Sequence, residues 1–288
     1  MDMADPQSDA NLRALLQSYS VELTTKDQKG IAAAGELLKP GAEVFVANLP
    51  GESSDRLVAA CTALSKSGVS PVPHMVARNT LSAAELDDTM ARLAGEAGVH
   101  TCLVLGGDRD DPVGPYDASI QLIETGVFEK YGVKRLFIGC HPEGHPRVPD
   151  AVIWPALGVK VEAARARGLE TILVSQFAFD SGPMVAFAKR LRAAGIDTPF
   201  RVGVAGPAKQ TTLIKYALMC GVGASLRALR ERHEAMKDLL AGETPEGLLR
   251  EVAAAQAADP SLGIEGVHFF TFGAVANSVQ LAEDLRKG

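Results

Sequence analysis

Eight short apolar runs, each followed by a stretch of helical period, set the frame for this 288-residue chain. The runs cover 20–23, 43–47, 70–75, 101–105, 135–139, 171–175, 200–205 and 266–271. They are mostly continuous rather than alternating, the pattern of strands buried on both faces in a parallel sheet. The intervening stretches at 27–38, 53–67, 82–97, near 118–129, 155–167, 184–194, 211–219 and 274–286 predict helices, and Ser82 with Glu85 fits a capping box. Parallel strands joined by helices cross over with one hand. Eight such units without a topological break predict an α/β fold, a closed (β/α)8 TIM barrel, whose usual size is roughly 250 residues. A further helical stretch from Ser225 to Ala258 predicts an insert at 225–260, before strand eight. Residues 1–18 read as a polar tail with a short helix near its end. No linker rich in Gly, Pro or Ser interrupts the rhythm, so a single domain over 1–288 is expected.

Charge and composition narrow the partners. With 29 basic and 35 acidic residues the net charge is −6, the wrong sign for a protein that grips nucleic acid. No apolar run approaches the ~20 residues that cross a bilayer, and the acidic N-terminus lacks the core of a signal peptide. Cys61, Cys102, Cys140 and Cys220 form no CxxC pair. Unpaired cysteines in apolar contexts suit a reducing cytoplasm, the expected location. Association into a homo-oligomer is left open.

In a (β/α)8 barrel the active site is built at the C-terminal ends of the strands. Those ends carry Glu22, Asn48, His74, Gly106-Gly107-Asp108, His141 with His145, Gln176, the 206–212 loop, and His268 with Thr271. Glu22 is a carboxyl group inside an apolar run. Burial there raises its pKa and suits a general acid, whereas a position on the outer face would pair it with Lys26. Asp108 follows two glycines that let a ligand approach the backbone, or that simply make a turn. Gln176 offers an amide that both donates and accepts.

His141 and His145 flank Pro-Glu-Gly. Pro142 and Gly144 argue against the helix that an H-E-x-x-H zinc site needs, and Glu143 stands in the wrong place, so no metal is expected. A loop along a flat cofactor, or a pair of satisfied loop histidines, remains for both. Lys160, Arg165 and Arg167 on the next helix read as a solvated face, or as the cations a diphosphate would require. No P-loop, dinucleotide fingerprint or nucleophile elbow is present.

Taken in order, Glu22, Pro73-His74, Gly107-Asp108, His141-Pro-Glu-Gly-His145-Pro, the 175–180 segment Ser-Gln-Phe-Ala-Phe-Asp and the 266–271 segment Gly-Val-His-Phe-Phe-Thr resemble the methylenetetrahydrofolate reductase family. The likeness is to a divergent, short bacterial-type member holding the catalytic barrel only. It implies non-covalent FAD, NAD(P)H as co-substrate, and reduction of 5,10-methylenetetrahydrofolate to 5-methyltetrahydrofolate in one-carbon metabolism. It implies Glu22 as the catalytic acid and Asp108, Gln176 and Gln210 as folate-binding residues. His74, Gly107, Asp108, Gly139, His141, His145 and Arg165 would then hold the flavin. Two alternatives stand beside this reading. One is the same fold run oxidatively on 5-methyltetrahydrofolate or another pterin in C1 catabolism. The other is a non-catalytic barrel that binds a ligand.

Overall fold

The computed structural model describes residues 6–222 and 245–287. Eight parallel strands close into a barrel in sequence order: β1 (Ser20–Thr24), β2 (Glu43–Ala47), β3 (Ser70–Val76), β4 (Thr101–Leu105), β5 (Arg135–Cys140), β6 (Glu170–Ser175), β7 (Phe200–Ala205) and β8 (Ile264–Phe270). Each expected run is thus a strand, and the (β/α)8 barrel is the observed architecture. Every residue of β7 is buried, and β6 is buried from its second residue onward, which explains the absence of polar alternation in these runs.

The helices are α1 (Pro6–Leu15), α2 (Gln28–Leu37), α3 (Ser54–Lys66), α4 (Ala83–Ala97), α5 (Ser119–Glu124), α6 (Val127–Lys130), α7 (Asp150–Ala166), α8 (Ser181–Ala193), α9 (Gln210–Cys220), α10 (Glu246–Ala258) and α11 (Val275–Lys287). Their starts follow local chemistry. The Asp27 carboxylate accepts from Gly30 N at 2.8 Å, and Ser82 Oγ accepts from Glu85 N at 3.1 Å. The Glu85 carboxylate reaches back to Leu81 N at 2.7 Å, one residue beyond the usual capping-box partner. Gly98, left-handed at φ 60°, ends α4 where a side chain would be strained.

Three departures from the sequence expectation have physical causes. The helix expected near 118–129 is two helices, because Gly126 takes φ 77° between α5 and α6. Helix α7 begins five residues before Pro155 instead of at it; Asp150 supplies acid to its first turn and pairs with Arg190 at 2.7 Å. Strand β8 starts at Ile264, two residues early. Of the expected insert, Glu246–Ala258 is helical, and the part from 225 to 244 lies outside the described residues.

The chain gathers into two compact units. One comprises Glu22–Gly139 and Trp154–Leu173. Here β2 pairs β3 with Phe45 opposite Val72, β3 pairs β4 with His74 opposite Leu103, and β4 pairs β5 with Leu103 opposite Phe137. The other comprises the chain up to Val21, Cys140–Ile153, and the chain from Val174 onward. In it β7 pairs β8 with Gly203 opposite His268. Gly203 is obligatory there: a Cβ would press into the Ser175 carbonyl oxygen and lie 2.9 Å from the Phe270 ring.

A polar cluster sits low in this second unit. Ser20, first residue of β1, accepts from Arg201 Nη1 at 3.1 Å. Its own hydrogen is then free to donate to His268 Nδ1 at 2.9 Å. Arg201 also pairs with Glu265 at 2.6 Å. Ser20, Arg201 and His268 are all buried. Because Ser20, Arg201 and Glu265 stand at strand starts, the cluster lies at the stability end of the barrel, away from the catalytic end.

Candidate active site

Glu22 is the third residue of β1, in the run Ser-Val-Glu-Leu-Thr, and His74 is the fifth of β3. The Glu22 Oε2 atom lies 3.3 Å from His74 Nε2, with the side chains 21% and 8% exposed. The imidazole stands edge-on to Phe45, at 6.1 Å between ring centroids, and Phe45 meets Phe137 at 4.9 Å. These rings place apolar surface beside the imidazole. Burial raises the Glu22 pKa above the ordinary carboxylate range, and His74 partly opposes that rise. The outcome is a carboxyl group that keeps its proton more readily than one in water, beside an imidazole that stabilises the anion when its Nε2 carries a proton.

Asp108 is exposed on the loop after β4. Gly107, at φ 103°, lets that loop run close to the end of β3: a Cβ there would fall 2.6 Å from Val76 Cγ1. The loop is held by residues the sequence reading passed over. The Arg78 guanidinium donates to the carbonyls of Asp117, Arg109 and Asp110 at 3.0, 2.9 and 2.7 Å, and Arg109 Nε donates to Asn79 Oδ1 at 2.9 Å. The signal was a cation just after a strand, facing a loop rich in carbonyls. Gly139, inside β5, leaves room for Leu105, which would sit 2.6 Å from a Cβ. Arg165 is exposed in the last turn of α7.

Glu52 is the other residue missed. Its side chain is fully buried after β2, accepts from Thr25 Oγ1, and lies 3.2 Å from Lys26 Nζ in an ion-pair contact rather than an aligned hydrogen bond. The cation thought to neutralise Glu22 on an outer face therefore pairs with Glu52.

In the other unit, His141 and His145 pack ring against ring, 4.9 Å apart at 85°. The backbone amides of Arg147 and Val148 both donate to His145 Nδ1 at 3.2 Å, so in the neutral ring the proton is on Nε2. Gly144 N closes a turn onto the His141 carbonyl at 3.0 Å, and the segment is a loop, as Pro142 and Gly144 required. Among the described residues no three His, Cys, Asp or Glu side chains are placed to hold a metal ion. Gln176 follows β6. Its backbone amide donates to Cys140 O at 2.9 Å, and its Oε1 accepts from Phe177 N at 3.1 Å. Phe177 is buried against Phe179, Phe270 and Phe272. Gln210 opens α9 and is exposed. His268 does not belong with the strand-end groups, since it is buried on Ser20.

The structure therefore brings Glu22 to His74 and His141 to His145. No family model matches the chain. Two solved barrels resemble it with a TM-score of 0.50 each. One is a Burkholderia cenocepacia J2315 protein described as a lyase/mutase, 17% identical, the match covering 97% of this chain and 86% of that one. The other is 2,3-dimethylmalate lyase, a member of the PEP mutase/isocitrate lyase superfamily, 9% identical, the match covering 96% of this chain and 84% of that one. At these identities the likeness shows the fold alone.

Neither barrel is a methylenetetrahydrofolate reductase, and the family expected from the strand-end residues is corrected on that finding. With it go the flavin-dependent reductase activity, the oxidoreductase class, the folate substrate, and FAD and NAD(P)H as cofactor and co-substrate. The physical reason is general. A (β/α)8 barrel aims polar side chains from its strand ends into one mouth whatever reaction it serves, so an ordered set of such residues is shared by unrelated chemistries. No helix among the described residues is long and apolar enough to cross a membrane.

Proposed function

We propose that this barrel is an acid–base enzyme acting on a small molecule, in which Glu22 transfers the proton and His74 positions it. The observation that carries the reading is the 3.3 Å approach of His74 Nε2 to a largely buried Glu22 carboxyl. A carboxyl with a raised pKa is a competent donor to negative charge developing on a substrate. After transfer, the adjacent imidazole stabilises the carboxylate, so the same group can recover a proton. Asp108, carried on a loop held in place by Arg78, is the candidate for orienting a polar substrate.

The reaction class taken is lyase or mutase chemistry on a small organic acid, on the analogy of the two barrels named above. Cleaving a carbon–carbon bond beside a hydroxyl moves one proton from that oxygen and returns one to the departing carbon. A carboxyl can serve either transfer, giving a proton as the acid and taking one as the carboxylate.

The test is incubation with a panel of 2-hydroxy and 2-oxo acids, 2,3-dimethylmalate included, in deuterated water under proton NMR. The expected result is cleavage, rearrangement or isotope uptake on at least one member, reduced by ~10²–10⁴-fold in Glu22→Gln. Turnover that is equal in the variant, or no turnover on any member, overturns the reading.

A further inference from the structure

Beside the loop that follows Glu22, a cleft of about 510 Å³ opens between α2 and α3. That is within the range of small-ligand sites, roughly 300–1,000 Å³. Its apolar lining is Ile31 from α2 and Ala59, Ala60 and Ala63 from α3. Its polar lining includes Lys26, Arg56 and the Gln28 amide.

The two cations differ in a way that decides what the cleft can take. Lys26 is committed to the buried Glu52, which also accepts from Thr25. That carboxylate is spent on fixing the loop, and Asp27 caps α2 through Gly30 N. Arg56 lies in the first turn of α3, exposed, and its guanidinium has no acidic partner among the described residues. An uncompensated guanidinium beside the apolar lining of a cleft favours a ligand with an anionic head and a short apolar body. Its planar fork matches a carboxylate or a phosphate through paired hydrogen bonds.

We infer that the α2–α3 cleft binds a small anionic ligand with a short apolar tail, its head on Arg56 and its tail over Ile31, Ala60 and Ala63. The site uses neither Glu22 nor His74, so it stands or falls separately from the proposed reaction.

Butanoate and butyl phosphate are the probes, with inorganic phosphate as the tailless control, titrated into the 15N-labelled full chain. Saturable shifts are expected in amides of α2 and α3 with at least one tailed probe, and weaker binding of inorganic phosphate. The tighter of the two tailed probes identifies the head group. Arg56→Ser, a surface change on α3, should weaken the binding about tenfold or more, the scale of one charge-assisted contact. An unchanged HSQC spectrum away from residue 56 establishes that this variant is folded. Binding that Arg56→Ser leaves intact, shifts confined to other elements, or no saturable binding of either tailed probe overturns the assignment.

Discussion

Glu22 on β1 and His74 on β3 meet across the strand between them, with Oε2 and Nε2 3.3 Å apart. Alternate strands of a (β/α)8 barrel contribute side chains to a common interior layer, and that arrangement accounts for a contact between residues 52 positions apart in sequence (74 − 22). The pair is a product of three successive strands curving about one interior, and its properties can be tested without knowing the substrate.

Folding raises the Glu22 pKa, with burial as the larger cause and His74 opposing it. The native state therefore holds this proton more tightly than the unfolded chain. Its contribution to stability is full below the unfolded value, about 4.3, and is lost as pH rises through the folded one. Glutamine mimics the protonated form at every pH. Thermal melts should show Glu22→Gln gaining over wild type at pH values above the folded pKa and little below about pH 4. Equal melting temperatures across the whole range would sink the assignment of a desolvated carboxyl.

His74→Asn removes the group that opposes desolvation. The Glu22 titration, followed through its carboxyl carbon by NMR, should move to still higher pH in this variant. If His74 lies near Glu22 without acting on it, the midpoint stays where it was.

Arg201→Met should be among the most destabilising single changes in the second unit. It strips Glu265 of its partner and Ser20 of a donor in a buried setting. Breaking one partner out of a buried pair costs about 3 kcal/mol or more. Urea unfolding measures it, and a cost below about 0.5 kcal/mol, the level of ordinary surface changes, contradicts the cluster's structural role.

Gly203→Ala tests the close approach of β7 to its neighbours. The new methyl would meet backbone oxygen at Ser175 as well as the Phe270 ring. Overpacking of this kind costs about 1–3 kcal/mol. An alanine variant as stable as wild type in chemical denaturation means the backbone can yield there.

Cys61, Cys102 and Cys140 are buried and Cys220 is partly exposed. Burial pushes the Cys61 and Cys102 thiols well above the ordinary range, which leaves little thiolate. A disulfide reagent should modify Cys220 first in the native protein, and Cys61 and Cys102 only after denaturant is added. Peptide mapping that finds Cys61 or Cys102 labelled early contradicts this.

The strands were legible because a buried parallel strand writes an unbroken apolar run, and β2, β4 and β7 fall on the expected residues. Helix limits were less so. Pro155 looked like a first residue, yet α7 accommodates it in its second turn, and Gly126 split a helix that periodicity read as one. Glu22 stood out as a carboxyl in an apolar run, but nothing local to it names His74 as its neighbour. Glu52 and Arg78 were passed over for the same reason: their partners lie on other loops, brought near only by the fold. The histidine–proline loop at 141–146 misled most, since a polar strand end is common to many barrels and names no reaction.

The Ser20 cluster has a bearing on synthesis. Ser20 waits for partners 181 and 248 residues further along the chain, in the last two strands to leave the ribosome. Until they arrive β1 has an open edge on that side, the kind of edge that invites stray pairing with other chains. Completion of the ring is thus a late event with high contact order, and slow closure follows from topology alone. A nascent chain truncated before β7 would be the aggregation-prone form, and helpers that shield nascent chains would find their substrate there.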